Sequence, residues 1–205
     1  MLGYFKRRAL DRVIPGYSDG KHWRFFHRLL KSGNIRFIAI MGVYQGRDIA
    51  YMVRALESGG VKDFHITGFD RFADVAGEDW PAEKKGMTWE EAGFGPAPTL
   101  ENARSKLQNA GMFSNVTLIK GDADEILVTD EKFDFIYIDI SHDYESTIHA
   151  IDLAIAKAKP STIIGGDDFS DQDTWGVKRG VEAKFKRYEL SEGWIWSATM
   201  SDLKE

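Results

Sequence analysis

Two short stretches concentrate groups able to exchange protons or bind cations: IYIDISHDYES, from Ile136 to Ser146, and GGDDF, from Gly165 to Phe169. In the first, an apolar run admits one carboxylate, Asp139, and then releases Ser141, His142, Asp143, Tyr144 and Glu145. The second ends in Asp167 and Asp168. If both runs are strands of one sheet, Asp139, Asp167 and Asp168 meet at the same edge, where three carboxylates repel unless protonated or bound to a cation. Hard oxygen donors suit Mg²⁺ or a similar divalent ion. The competing reading has Asp139 holding an ammonium group or a loop while the aspartate pair caps the next segment. His142 lies three residues beyond Asp139. An imidazole of ordinary pKa about 6.5 is suited to take a proton from a hydroxyl at neutral pH, against a purely structural role. A cation on that hydroxyl would ease the transfer. His22, His27, His65 and His149 fall on expected helices or a strand away from the acid cluster and read as structural.

Positioning these groups requires a layered scaffold, and the hydrophobic pattern supplies one. Ile35 to Met41 is a short apolar run closed by Gly42, and Asp48 to Glu57 carries Ile49, Met52, Val53 and Leu56 on one helical stripe. The strand and helix pattern recurs: strand Phe64 to Phe69, helix Thr99 to Ala110, strand Val116 to Lys120 and a short turn Ala123 to Leu127. Strand Phe133 to Ile140, helix Glu145 to Ala158, strand Thr162 to Gly166 and helix Val177 to Tyr188 complete it. Nearly continuous apolar strands alternating with amphipathic helices predict an α/β fold, a doubly wound and mostly parallel sheet. ELSEGWIWSATM, after Tyr188, predicts a closing hairpin with an antiparallel strand. One domain over residues 1–205 is expected. Residues 1–32 form an N-terminal helical segment with Trp23, Phe26, His27 and Leu30 at helical spacing, an aromatic face able to pack on a neighbour in a homo-oligomer. Residues 73–98 interrupt the rhythm and hold three of the five prolines with Trp80, Trp89 and Phe94. A connection of that length and composition is expected to be a partly ordered lid over a ligand, against the alternative of an incidental surface insertion.

Composition narrows the partners. A net charge of −5 argues against general nucleic-acid binding, which needs a basic face. There are no cysteines, so disulfides and thiolate metal sites are excluded, in keeping with a reducing compartment. The N-terminal basic cluster Lys6, Arg7, Arg8 and Arg12 has no apolar core of signal-peptide type, and no run is long enough for a membrane span. A cytoplasmic protein acting on a small molecule is the expectation.

Ligands of open α/β sheets bind beyond the carboxyl ends of the strands, where the winding reverses. There the first strand leads into MGVYQGRDI, with Gly42 and Gly46 placed to let backbone approach a ligand before a helix N-terminus. Neither G-x-G-x-x-G nor a P-loop is present, so hydride transfer and nucleotide hydrolysis lose support. The second strand ends in Asp70, placed to accept the hydroxyls of a ribose or to cap its loop. The third ends in KGDADEIL, where Asp122 could accept from an adenine amino group or cap the following turn.

Glycine turn, ribose acid and adenine acid on successive strands together resemble the class I S-adenosylmethionine-dependent methyltransferases, over about residues 35–200. That resemblance implies S-adenosylmethionine held by Gly42, Gly46, Asp70, Asp122 and the adjoining Ala123. YIDISHDYEST, GGDDF and WGVKRGVEAKF look like the macrocin O-methyltransferase group and related small methyltransferases. The resemblance implies a divalent cation on Asp139, Asp167 and Asp168. The spacing is also similar to the catechol O-methyltransferase arrangement, in which a lysine stands at the position of His142. Two positions depart from the pattern: Ile40 stands where class I enzymes commonly have an acid, and Ser141 where the macrocin group has a second aspartate. His142 is then the expected base, with Asp143 in reserve. The implied activity is metal-assisted methylation of a hydroxyl on a small molecule, sugar or phenol-like. The alternatives are a metal-independent N- or C-methyltransferase on the same fold and a non-catalytic cofactor-binding protein.

Overall fold

The computed structural model describes residues 2–73, 86–172 and 175–204. Among the described residues six α-helices, α1 (Leu2–Val13), α2 (Gly20–Leu30), α3 (Arg47–Ser58), α4 (Leu100–Asn109), α5 (Tyr144–Ala156) and α6 (Val177–Lys184), flank a seven-stranded sheet. Its strands are β1 (Phe37–Met41), β2 (His65–Asp70), β3 (Val116–Lys120), β4 (Phe133–Ile138), β5 (Ala158–Gly166), β6 (Glu189–Leu190) and β7 (Trp196–Thr199). They lie in the order β3-β2-β1-β4-β5-β7-β6. The first five are parallel; β7 runs antiparallel to β5 and pairs with β6. This is the expected doubly wound sheet with its antiparallel close. None of the described helices is long and apolar enough to cross a membrane.

Each face of the sheet buries its own core. On one side Ile38, Ile40, Phe135 and Tyr137 meet α2 and α3 through Phe25, Phe26, Ile49 and Met52. On the other Ala39, Met41, Ile136 and Ile138 meet α5 and α6 through Ile151, Ala154, Val177 and Val181. Strand alternation sends successive residues to opposite layers, so burial on both faces demands an unbroken apolar run. Ile40, standing where an acid was expected to be common, is fully buried in this packing.

Element ends shift where local chemistry overrides the apolar pattern. α5 begins at Tyr144 because Asp143 caps it, its carboxylate accepting from Ser146 N at 2.9 Å. α6 stops at Lys184 rather than Tyr188: Phe185 turns extended and pairs with Leu203. β5 reaches back to Ala158.

The N-terminal segment is built into this same layer. α2 starts with a reciprocal cap, Asp19 accepting from Lys21 N at 2.7 Å while His22 Nδ1 accepts from Asp19 N at 3.2 Å. The aromatic face expected to seek a neighbour, Trp23 and Phe26 with Leu30, is buried inside the chain's own core. Arg47, the first residue of α3, donates to the carbonyls of Ile14 (2.8 Å), Ser18 (3.0 Å) and Asp11 (3.1 Å). It thereby pins residues 11–18 across the strand tips.

Candidate active site

The winding reverses between β1 and β4, and there the two strand tips touch. Asp139 N donates to Met41 O at 2.8 Å. Gly42 has φ of 93°, and a Cβ on it would stand 1.7 Å from the backbone oxygen of Asp139. Only glycine combines that left-handed backbone with such an approach. A cavity of about 870 Å³ opens over this junction, lined by Gly42, Tyr44, Asp48, Asp70, Asp122, Asp139, His142, Asp167 and Asp168 among others.

Asp70 organises the turn. Its Oδ2 accepts from Val43 N and Tyr44 N, each at 2.8 Å, and its Oδ1 from Phe72 N at 2.6 Å. A carboxylate offers about four acceptor sites. Three are spent on backbone, which leaves room for about one ligand hydroxyl. Asp122 precedes the turn Ala123–Leu127 without capping it through its side chain, and lies 3.8 Å from Arg71 on an exposed rim.

The acid cluster divides in two. Asp139, His142 and Asp168 each offer an atom lying within 4.8 Å of the others, a grouping able to share a cation. His142 Nε2 is 2.8 Å from Asp168 Oδ2, and its ring stacks on Trp175 at 4.6 Å between centroids. Asp168 adopts φ of 58°, and the adjacent carboxylates diverge. Asp167 Oδ2 meets His22 Nε2 at 2.6 Å, on the α2 side.

His22, read from sequence as structural and away from the acid cluster, thus belongs to this site. Nothing in its local pattern signals this, since 145 residues separate it from Asp167. Its Nε2 carries the hydrogen given to Asp167 in either protonation state, while its Nδ1 accepts from Asp19 N (3.2 Å) in the neutral ring and donates to Asp19 Oδ1 (3.3 Å) in the protonated one. Burial opposes its charge, but Asp167 and the charge of Asp48 outweigh that and lift its pKa to about 9. Asp48 itself was read only as a helix start. It is 6% exposed. Burial raises its pKa, against the pull of His22 and a hydrogen bond from Ser18. Burial and the charges of Asp167, Asp48 and Asp168 hold Asp139 well above the ordinary carboxylate range, with His22 pulling it down.

Aromatic side chains line the opposite rim. Tyr44 faces Trp89 at 5.1 Å and Tyr17 at 5.7 Å between centroids, and Phe94 meets Tyr17 at 5.8 Å. The hydroxyls of Tyr17 and Tyr44 both donate to Phe94 O, at 3.2 and 3.1 Å. Of the long connection between β2 and α4, Trp80 lies outside the described residues.

A sheet of this order, with a glycine turn at the reversal and acids at the following strand tips, defines a class I S-adenosylmethionine-dependent methyltransferase. Residues 40–169 match a family model described as a methyltransferase domain, and the chain belongs to that family. No curated protein matches its sequence. Among solved structures it is similar to the O-methyltransferase NovP, with TM-score 0.67 and 17% identity over 87% of this chain and 79% of that one. It is similar to the O-methyltransferase TomG from Streptomyces achromogenes in complex with SAM, with TM-score 0.62 and 16% identity over 96% and 89%. An O-methyltransferase from Bacillus cereus in complex with SAH gives TM-score 0.61 and 18% identity over 97% and 89%. At these identities the likeness is one of fold.

Proposed function

We propose that the protein is an O-methyltransferase assisted by a divalent cation and acting on a hydroxyl of a small molecule. The observation that carries this reading is the convergence of Asp139, His142 and Asp168 within 4.8 Å beside the cavity. The residues present fit the cofactor: Gly42 and Asp70 line the cavity at the reversal, and Asp70 keeps about one acceptor site for a ligand hydroxyl. Gly42, Asp70, Asp122 and Ala123 line the cavity and would hold the cofactor, whereas Gly46, expected to join them, is buried with its Cβ position against Leu107 and shapes the turn. The group of Asp139, His142 and Asp168 fits a hard cation as well, because its donors are mostly carboxylate oxygen. Asp139 and Asp168 would hold the ion. Asp167, the third carboxylate of the expected set, would have to leave His22 to join them. When bound, S-adenosylmethionine supplies an electrophilic methyl group and the cation acidifies the acceptor hydroxyl.

His142 would take the acceptor's proton, and Asp168 at 2.8 Å would hold the imidazolium that results. Tyr17, Tyr44, Trp89 and Phe94 would cover the acceptor and exclude water, the role expected of the connection as a lid. Orienting the two reactants supplies most of the acceleration in such a transfer.

The test is methyl transfer from labelled cofactor to panels of hydroxyl, amine and carbon acceptors, with and without chelator. We expect transfer to hydroxyl acceptors that chelator abolishes and Mg²⁺ restores. In His142→Gln we expect a loss of about 10²–10⁴-fold in kcat, with affinity for S-adenosylhomocysteine unchanged. Chelator-resistant transfer to nitrogen or carbon would overturn the reading.

A further inference from the structure

Behind the candidate cation group lies a second set of polar atoms that the proposed chemistry does not use. Asp48 Oδ1, Asp167 Oδ1 and the Tyr137 hydroxyl are each buried without a hydrogen-bond partner among the described residues. Buried polar atoms are nearly always satisfied, and a carboxylate oxygen left bare is the costlier kind. Tyr137 packs on Phe25 and Phe26 of α2 at 6.2 and 5.0 Å between centroids, the helix whose His22 meets Asp167. Asp48 and Asp167 also line the cavity.

Three carboxyl groups, Asp48, Asp139 and Asp167, face one imidazole, His22, in this corner. His22 is committed to Asp167 and to the cap of α2, and the Arg47 guanidinium is spent on three carbonyls of residues 11–18. β1 ends in Ile40 and Met41, both fully buried in the core, and so offers no carboxylate of its own. A ligand with its nucleoside end at the Asp70 and Asp122 tips of β2 and β3 extends across β1 toward β4. Its far end then reaches the first turn of α3, where Asp48 sits.

We infer that the Asp48 carboxylate receives the ammonium group of the cofactor's methionine end, with Asp167 Oδ1 and the Tyr137 hydroxyl beside it. Three bare acceptors match the three N–H donors of an ammonium. Asp48 serves here as a binding residue supplied by helix α3. The inference rests on the S-adenosylmethionine reading and deepens it.

The test is calorimetric binding of S-adenosylhomocysteine and of its deaminated analogue, whose amino group is replaced by hydrogen, to the parent, Asp48→Asn and Asp48→Ser. The parent is expected to prefer S-adenosylhomocysteine by at least about tenfold, the scale of a charged hydrogen bond. In the variants that preference collapses, because affinity for the deaminated analogue holds while affinity for S-adenosylhomocysteine falls. Serine serves as the second substitution should asparagine fail to fold. Equal binding of the two ligands by the parent overturns the inference, as does a preference that survives both substitutions, the bare oxygens then being met by water. Either of those results leaves the cofactor reading standing. A parent that binds neither ligand overturns both.

Discussion

Asp70 was expected from sequence to meet a ribose, yet in the structure it first holds the protein to itself. Asp70→Asn separates these roles. The amide keeps one acceptor oxygen; in its better orientation that oxygen stays on Val43 N and Tyr44 N, and the NH₂ turns toward Phe72 N. One charge-assisted bond is lost, at about 1.5–3 kcal/mol, and two others weaken to roughly half strength. Because Asp70 is half-buried, water recovers part of this, leaving a net loss of about 2–3 kcal/mol. For a chain of this size that lowers Tm by about 4–12 °C. The assay is thermal and urea unfolding of the ligand-free protein, followed by titration with S-adenosylhomocysteine. A ligand-free Tm within about 2 °C of the parent would refute the clamp reasoning and leave Asp70 purely as a ligand contact.

Two further expectations follow from the same kind of accounting. Asp134 accepts from Arg36 N (2.9 Å), Phe37 N (2.8 Å) and Lys159 Nζ (2.6 Å). Burial pushes its pKa up, but these partners, Lys159 foremost, bring it below the ordinary carboxylate value. Its contribution is therefore complete above the unfolded value of about 4 and lost as pH falls through the folded one. Asp134→Asn should cost about 1 kcal/mol near pH 7 after solvent screening, a gap to the parent that closes in parallel melting curves as pH falls through the depressed folded value; a constant gap would remove the charge from the explanation. Arg47→Met keeps the aliphatic stem and removes the three carbonyl bonds to residues 11–18. Hydrogen exchange there should quicken by about tenfold or more, and unchanged protection would show that the segment is held by its apolar contacts alone.

Much of the architecture was legible because it depends on local periodicity. β3 was read end for end, and β1 and α4 to within two residues, because apolar runs and caps act over short range. The reading of α6 ran past its end because Phe185 is apolar and fits a helical stripe, whereas its pairing with Leu203 depends on chain 18 residues away.

At the site, sequence alone determined which residues stand at strand tips: Gly42, Asp70, Asp122, Asp139, Asp167 and Asp168 follow from where apolar runs end. It also determined that His142 follows Asp139 on the same loop. Only the tertiary structure decided which way each carboxylate faces. Asp168 turns to His142 while Asp167 turns to His22, and Asp48 is left buried with a bare oxygen. Strand periodicity is written in neighbouring residues, but a carboxylate's partner is selected by charge and burial among groups that folding alone brings together.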